Sequence, residues 1–288
     1  MTALLDEVLE AHGGLERWRR ARTIHARVRA GGLLIRTRVP GNRFADSHII
    51  VYVQQPRTVF DPFPREGQRG VFQGGKVRIE RYDGEVLSSR VEARAAFFGR
   101  AGLRRNFRWD PLDSVYFAGY AMWNYLTFPY LLTREGVEVS DGDTWREGGE
   151  TWRRLDASFP PDIDTHSRRQ TYYVDAGGRL RRHDYVPEVI GRWARSAHYC
   201  ADHVQAGGLL FPTRRRVLLI GPGNRSLPFR PRCRCSLPIC GSRLSRCRRS
   251  PSLLVKTCRF RDESMASTGV TRRLRGRRPY IGVASTAT

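Results

Sequence analysis

Apolar and polar positions alternate from Thr23 onward: Ile24, Ala26 and Val28 against His25, Arg27 and Arg29, the pattern of a half-buried strand. Gly31-Gly32 predicts a turn, with residues 33–39 returning as its partner strand. The same period, or a continuous apolar run, predicts strands over 47–53, 76–81, 85–89, 136–140, 150–159, 169–175, 179–186, 197–203 and 210–220. Asp83-Gly84 joins two of these as a hairpin turn. The Pro- and Gly-rich segment 57–75 reads as a loop. Strands follow one another without helices between them, which predicts an antiparallel meander rather than a parallel βαβ sheet.

Helical period appears in two places. Residues 3–11 place Leu4, Leu5, Val8 and Leu9 on one side, and Gly13-Gly14 ends the pattern before a short turn carrying Trp18. The second place is the densest stretch of the chain: nine of the 24 residues from Phe107 to Tyr130 are aromatic. Asp110 suits an N-cap and Pro111 the first helical position. Leu112, Val115, Tyr116, Gly119, Tyr120, Trp123 and Leu126 then share one face. Pro129 biases Phe128 away from helical geometry, so the helix is expected over 111–127.

Three readings compete for that helix: a core helix, a lid over an apolar cavity, and a membrane span. Residues 114–133 carry no charge, but Asn124, Thr127 and Pro129 interrupt them and Leu, Ile and Val are sparse, so membrane contact is compatible with the segment and spanning is not expected. The lid reading makes Trp109, Tyr116, Tyr120, Trp123 and Phe128 the candidate ligand-binding residues for an apolar small molecule or acyl chain.

Charge changes the picture only at the C-terminus. The net charge is +23, and residues 229–288 hold 15 basic and 2 acidic side chains. Five of the six cysteines lie there, and Lys256 is its only lysine. The body is therefore no disulfide framework. Residues 1–228 are expected to form one domain. Residues 229–288 are expected to be a disordered Arg/Ser/Cys-rich tail, its abrupt composition suggesting a lost reading frame near residue 228. Such a tail supports at most non-specific nucleic-acid binding, since aromatics for base stacking are few. The first residues lack a basic and an apolar signal region, which reads as cytoplasmic.

Catalytic chemistry has one candidate constellation, the late His183, Asp184, His198, Asp202 and His203. On a strand His198 and Asp202 would share a face and His183 and Asp184 would not. His166 also lies late in the chain. No metal-ligand spacing, phosphate loop or nucleophile elbow is present, so no cofactor and no metal is expected.

The order of elements resembles the lipoprotein-carrier-like proteins over residues 3–220. The resemblance is carried by His12-Gly13-Gly14-Leu15-Glu16-Arg17-Trp18, by Tyr172-Tyr173-Val174-Asp175 with Gly178-Arg179-Leu180-Arg181, and by Gly207-Gly208-Leu209-Leu210-Phe211-Pro212-Thr213. Trp109-Asp110-Pro111-Leu112, Tyr120-Ala121-Met122-Trp123-Asn124-Tyr125 and Arg182-His183-Asp184-Tyr185 look closest to an uncharacterised actinobacterial-type branch. The resemblance implies a curved antiparallel half-barrel covered on one face by helices, an α+β fold with an apolar cavity between, and a non-catalytic binding role. The carriers act in the cell envelope, from which the cytoplasmic reading departs, and they end with a further strand, so the resemblance implies a sheet edge left open where the tail replaces it.

Overall fold

The computed structural model describes residues 2–227, 233–236 and 281–285. Internal contacts divide the chain into two units, 1–242 with 279–288 and 243–278, and the second lies outside the described residues. The expectation of disorder for 229–288 likewise falls outside them, save for two short strands.

The first unit is an α+β fold built on one curved antiparallel sheet. Its strands are β1 (Ala21–Gly31), β2 (Ser47–Tyr52), β3 (Arg57–Asp61), β4 (Gln68–Gln73), β5 (Lys76–Arg81), β6 (Val86–Arg90), β7 (Glu138–Glu147), β8 (Glu150–Ser158), β9 (Arg169–Val174), β10 (Leu180–Tyr185), β11 (Ser196–Ala206), β12 (Leu209–Leu219), β13 (Cys233–Ser236) and β14 (Ile281–Ser285). The order across the sheet is β6-β5-β4-β3-β2-β1-β13-β12-β11-β10-β9-β8-β7, and among the described strands β6 and β7 form its two ends. This is a half-barrel of two six-stranded meanders. β13 joins them by pairing with Arg214–Val217 of β12 and Arg29–Gly31 of β1. β14 pairs with β1 over Ala21–Ala26. The edge expected to stand open is thus paired over these residues.

Helices cover one face: α1 (Ala3–Ala11), α2 (Leu15–Arg20), α3 (Leu33–Arg38), α4 (Gly99–Gly102) and α5 (Pro111–Thr127). No helix among the described residues is long and apolar enough to cross a membrane. α1 is capped by Thr2, whose hydroxyl accepts from the Leu5 amide at 3.2 Å, and it buries the expected Leu4, Leu5, Val8 and Leu9. Its end is pinned to the β11–β12 hairpin, where a Cβ on Gly13 would stand 2.3 Å from the Gly208 carbonyl.

Two expectations are corrected. Residues 33–39 do not return as a strand, because Leu33-Leu34-Ile35 is an unbroken apolar run and forms the first turn of α3; β2 takes the place beside β1. The segment 57–75 is not a loop. Thr58-Val59-Phe60 and Gly70-Val71-Phe72 form β3 and β4 between the Pro and Gly residues that disguised them.

α5 begins and ends where its sequence places it. Asp110 and Asp113 form a capping box, each carboxylate accepting from the other's amide at 2.8 and 3.1 Å. Arg90 and Arg105 both donate to Asp113 at 2.6 Å. The helix lies on β3, β4 and β5 at very short range. A Cβ on Gly119 would meet Phe72 at 2.3 Å, and one on Gly70 would meet Val115 at 2.6 Å. Two glycines, one on each side of the contact, therefore fix how deeply α5 sits, and Thr58 donates its hydroxyl to the Gly119 carbonyl at 3.0 Å.

Candidate functional site

The five aromatic residues expected to hold a ligand are packed into the core. Trp109, Tyr116, Tyr120, Trp123 and Phe128 are all buried, none more than 4% exposed. Their polar atoms are engaged: Tyr116 donates to Asp164 at 2.6 Å, the Tyr120 hydroxyl meets His166 Nδ1 at 3.1 Å, and the Trp123 and Trp109 indoles donate to the carbonyls of Tyr52 (3.0 Å) and Arg105 (2.9 Å). Phe128 stacks on Tyr172 with ring centres 5.0 Å apart. The close seat of Gly119 on Phe72 turns this face of the helix onto the sheet.

An apolar cavity lies against the other face of α5. It holds about 80 Å³ and is walled by Phe117, Ala118, Ala121, Met122 and Tyr125 of the helix. Val28 of β1, Phe60 of β3 and Leu34 and Ile35 of α3 close it on one side, and Pro187 and Ile190 from the β10–β11 connection on another. None of the five expected residues lines it. A larger groove of about 710 Å³ has charged walls, among them Glu138, Arg154, Asp156 and Asp184, and suits an apolar molecule poorly.

The polar part of the apolar cavity comes from the β8–β9 connection and from β10, β11 and β12. His166, Tyr185, His198 and Arg215 line it together with Tyr125. The Tyr125 hydroxyl meets His166 Nε2 at 2.7 Å and the Tyr185 hydroxyl at 2.9 Å. His166 stacks on Tyr185, and His183, behind them, stacks on Tyr172 and meets Gln170 Oε1 at 2.5 Å. Burial pushes the His166 pKa down to about 3, with the charge of Arg94 acting the same way. Burial also holds His183 and His198 well below the ordinary histidine range. These imidazoles are neutral near pH 7, hydrogen-bonding and stacking as parts of a packed wall.

The alternative catalytic group does not assemble. His183 and His198 face the helices, but Asp184 projects from the opposite face of β10 as the sequence pattern implied. There Arg182 holds it with two bonds of 2.7 Å, and burial still pushes its carboxyl pKa up. His198 and Asp202, expected to share a face, do not. Asp202 has a φ of 55° and drops out of the pairing between Ala201–Arg214 and His203–Pro212, so the alternation is lost one residue before His203. Asp202 is exposed and pairs with Arg214 at 3.0 Å. Among the described residues no group of three or more His, Cys, Asp or Glu side chains is placed to hold a metal ion.

Pattern reading missed the residues that form the cavity. Phe117, Ala118, Ala121, Met122 and Tyr125 share the second stripe of α5, and the signal for it was Gly119, a residue marking the close-packed face and hence the other face as the spare one. Arg215 was hidden within Arg214-Arg215-Arg216, although Phe211 and Val217 flank it at the same inward period.

No protein-family model and no curated protein matches the chain. Solved structures do resemble it. A LolA superfamily protein of Nitrosomonas europaea is 10% identical, covers 81% of this chain and 89% of its own, and superposes with a TM-score of 0.44. A domain assigned to outer membrane lipoprotein sorting in Vibrio parahaemolyticus is 11% identical over 81% of this chain and 91% of its own, at a TM-score of 0.41. The lipoprotein LppX of Mycobacterium tuberculosis is 14% identical over 82% and 93%, at 0.25. The cytoplasmic expectation does not stand beside these. It rested on where the sequence begins, which does not define what precedes it, and the similar structures are those of a lipoprotein-sorting domain and a lipoprotein. The likeness to these structures extends over about four-fifths of the chain, 81–82% of its length.

Proposed function

We propose that this protein binds an apolar small molecule or acyl chain, without transforming it, in the space between the half-barrel and the second face of α5. The observation that carries the reading is the cavity beside Ala118, Ala121 and Met122, with small and apolar side chains where an aromatic helix would otherwise fill the space. The names of the similar proteins, with their lipoprotein sorting, agree with it.

The closed cavity is smaller than a ligand pocket, about 80 Å³ against roughly 300–1,000 Å³ for sites that bury a drug-sized molecule. Binding therefore requires opening, and α3 is the element suited to move. It has six residues, follows Gly31-Gly32 with Gly32 at a φ of 116°, and keeps Leu33 60% exposed while Leu34 and Ile35 face the cavity. A short helix on a glycine hinge is displaced at small cost. Each methylene taken from water contributes about 0.8 kcal/mol, so eight of them offset a modest opening cost.

Two measurements on the purified full chain test the reading. Solvent extraction followed by mass spectrometry is expected to recover an acyl-bearing molecule in near-stoichiometric amount. Titration with hexadecanol of the delipidated protein is expected to saturate at one site. A protein that carries no lipid and binds no long-chain alcohol contradicts the proposal.

A further inference from the structure

Three arginines of the described chain are buried: Arg105, Arg182 and Arg215. Arg105 donates to Asp113 at 2.6 Å, and Arg182 is held by Glu147 and Asp184 at 2.7 Å. Arg215 differs. It is 2% exposed, and no carboxylate pairs with it among the described residues. Its Nη2 donates to the Tyr125 carbonyl at 3.1 Å, its Nη1 faces the Cys200 sulfur at 3.4 Å, and its guanidinium lies 5.0 Å from the centre of the Tyr125 ring. Its Nε donates to nothing among the described residues. Cys200 is no counter-ion, because burial pushes its thiol pKa up. The facing histidines supply no negative charge either. A guanidinium cannot shed its proton, so β12 carries a permanent positive charge into an apolar cavity without a balancing anion among the described residues.

A second unmatched group sits beside it. In the β11–β12 register Cys200 pairs with Arg215 and His198 with Val217, so His198 and Arg215 share the inward face. Both line the cavity. His198 is 1% exposed, its Nδ1 stands 3.4 Å from the Tyr185 hydroxyl, and its Nε2 has no partner among the described residues. Two buried polar groups left incomplete in one wall are the complement of an oxygen-rich anion. The rest of the cavity, from Val28 and Phe60 to Ala118 and Ala121, is the complement of a hydrocarbon chain.

We infer that the bound molecule is a single long chain with an anionic head, a carboxylate or a phosphate, and that Arg215 and His198 receive that head while the chain lies along the second face of α5. The inference rests on the apolar-ligand reading above and adds the chemistry of the head group.

The test compares palmitate, hexadecyl phosphate and hexadecanol, which share one chain length, by titration of the full protein at one ionic strength. The wild type is expected to bind at least one of the anions ten or more times tighter than hexadecanol, and the tighter anion identifies the head. Arg215→Met is expected to bring that preference to within about twofold, and Arg215→Lys, which keeps the charge, to retain most of it. Equal binding of all three by the wild type overturns the inference and leaves the apolar-ligand reading in place. So does a preference that survives Arg215→Met. Binding of none overturns both. If Arg215→Met does not fold, carboxyl-labelled palmitate bound to the wild type decides by its 13C resonance. Seated on Arg215 the carboxyl stays ionised at about pH 5; protonation there, as expected of an uncharged apolar site, overturns the inference.

Discussion

The two faces of α5 have nearly the same aromatic content and opposite uses. Val115, Tyr116, Gly119, Tyr120 and Trp123 lie on the sheet at a distance set by two glycines, with every hydroxyl and indole N–H engaged. Phe117, Ala118, Ala121, Met122 and Tyr125 look across a space of about 80 Å³. Aromatic residues suit both tasks, since each ring buries a large area and tolerates one polar contact. What separates the faces is small side chains and their partners. On the sheet side glycine meets a ring in direct contact; on the cavity side alanine meets nothing close enough to fill the space. An aromatic stripe therefore marks burial, and a missing Cβ marks which burial is tight.

The largest expected effect breaks the tight face. Gly119→Ala places a Cβ where Phe72 stands, and Gly70→Ala does the same against Val115; each is expected to lower the unfolding free energy by about 3 kcal/mol, measured by denaturant titration. A change below about 1 kcal/mol would mean that α5 sits further from the sheet than direct contact between Gly119 and Phe72 requires.

The polar wall gives the next effect through pH. The folded-state pKa of His166 is about 3 and that of His12 about 4, both lowered first by burial, against 6.5 for the free side chain. The unfolded chain then binds more protons than the folded one below pH 6.5, so stability is complete above that value and is lost as pH falls towards the folded values. Between about pH 7 and pH 5 each such histidine removes about 2 kcal/mol. His166→Phe is expected to flatten the dependence of Tm on pH over that window, and an unchanged slope would show the ring to be charged in the folded protein.

Smaller effects distinguish the faces by function. Tyr116→Phe leaves the Asp164 carboxyl without its 2.6 Å donor and is expected to cost about 1–2 kcal/mol of stability while leaving hexadecanol binding within twofold. Ala121→Leu fills the cavity. It is expected to change stability by about 0.5 kcal/mol or less and to weaken hexadecanol binding at least tenfold. Were the two variants to exchange these outcomes, the assignment of faces would be reversed.

Most of the fold was legible because strand period and helix caps are local signals. Asp110-Pro111 and Phe128-Pro129 bracket α5 in the sequence as they do in the structure. Residues 33–39 and 57–75 misled for local reasons too, an unbroken apolar run in one and Pro and Gly punctuation around two short strands in the other. The site was less legible, because it depends on what lies across from each residue. Tyr120 and Tyr125 are alike in sequence, yet Tyr120 is packed between Tyr116 and His166 and Tyr125 borders the cavity. Arg215 looks like its neighbours Arg214 and Arg216 until the register of β12 turns it inward. Asp202 shows the limit of strand alternation, since one residue with positive φ undoes the pairing of faces that period two implies.

The most direct test of where the ligand lies is photo-crosslinking with a sixteen-carbon fatty acid bearing a diazirine along its chain, followed by peptide mapping. Adducts are expected on Phe117, Ala118, Ala121 or Met122 of α5, or on Val28 or Phe60 across the cavity, suppressed by unlabelled palmitate and by Ala121→Leu. Adducts on Tyr116, Tyr120 or Trp123, or only on exposed positions such as Phe107 and Trp193, would contradict it.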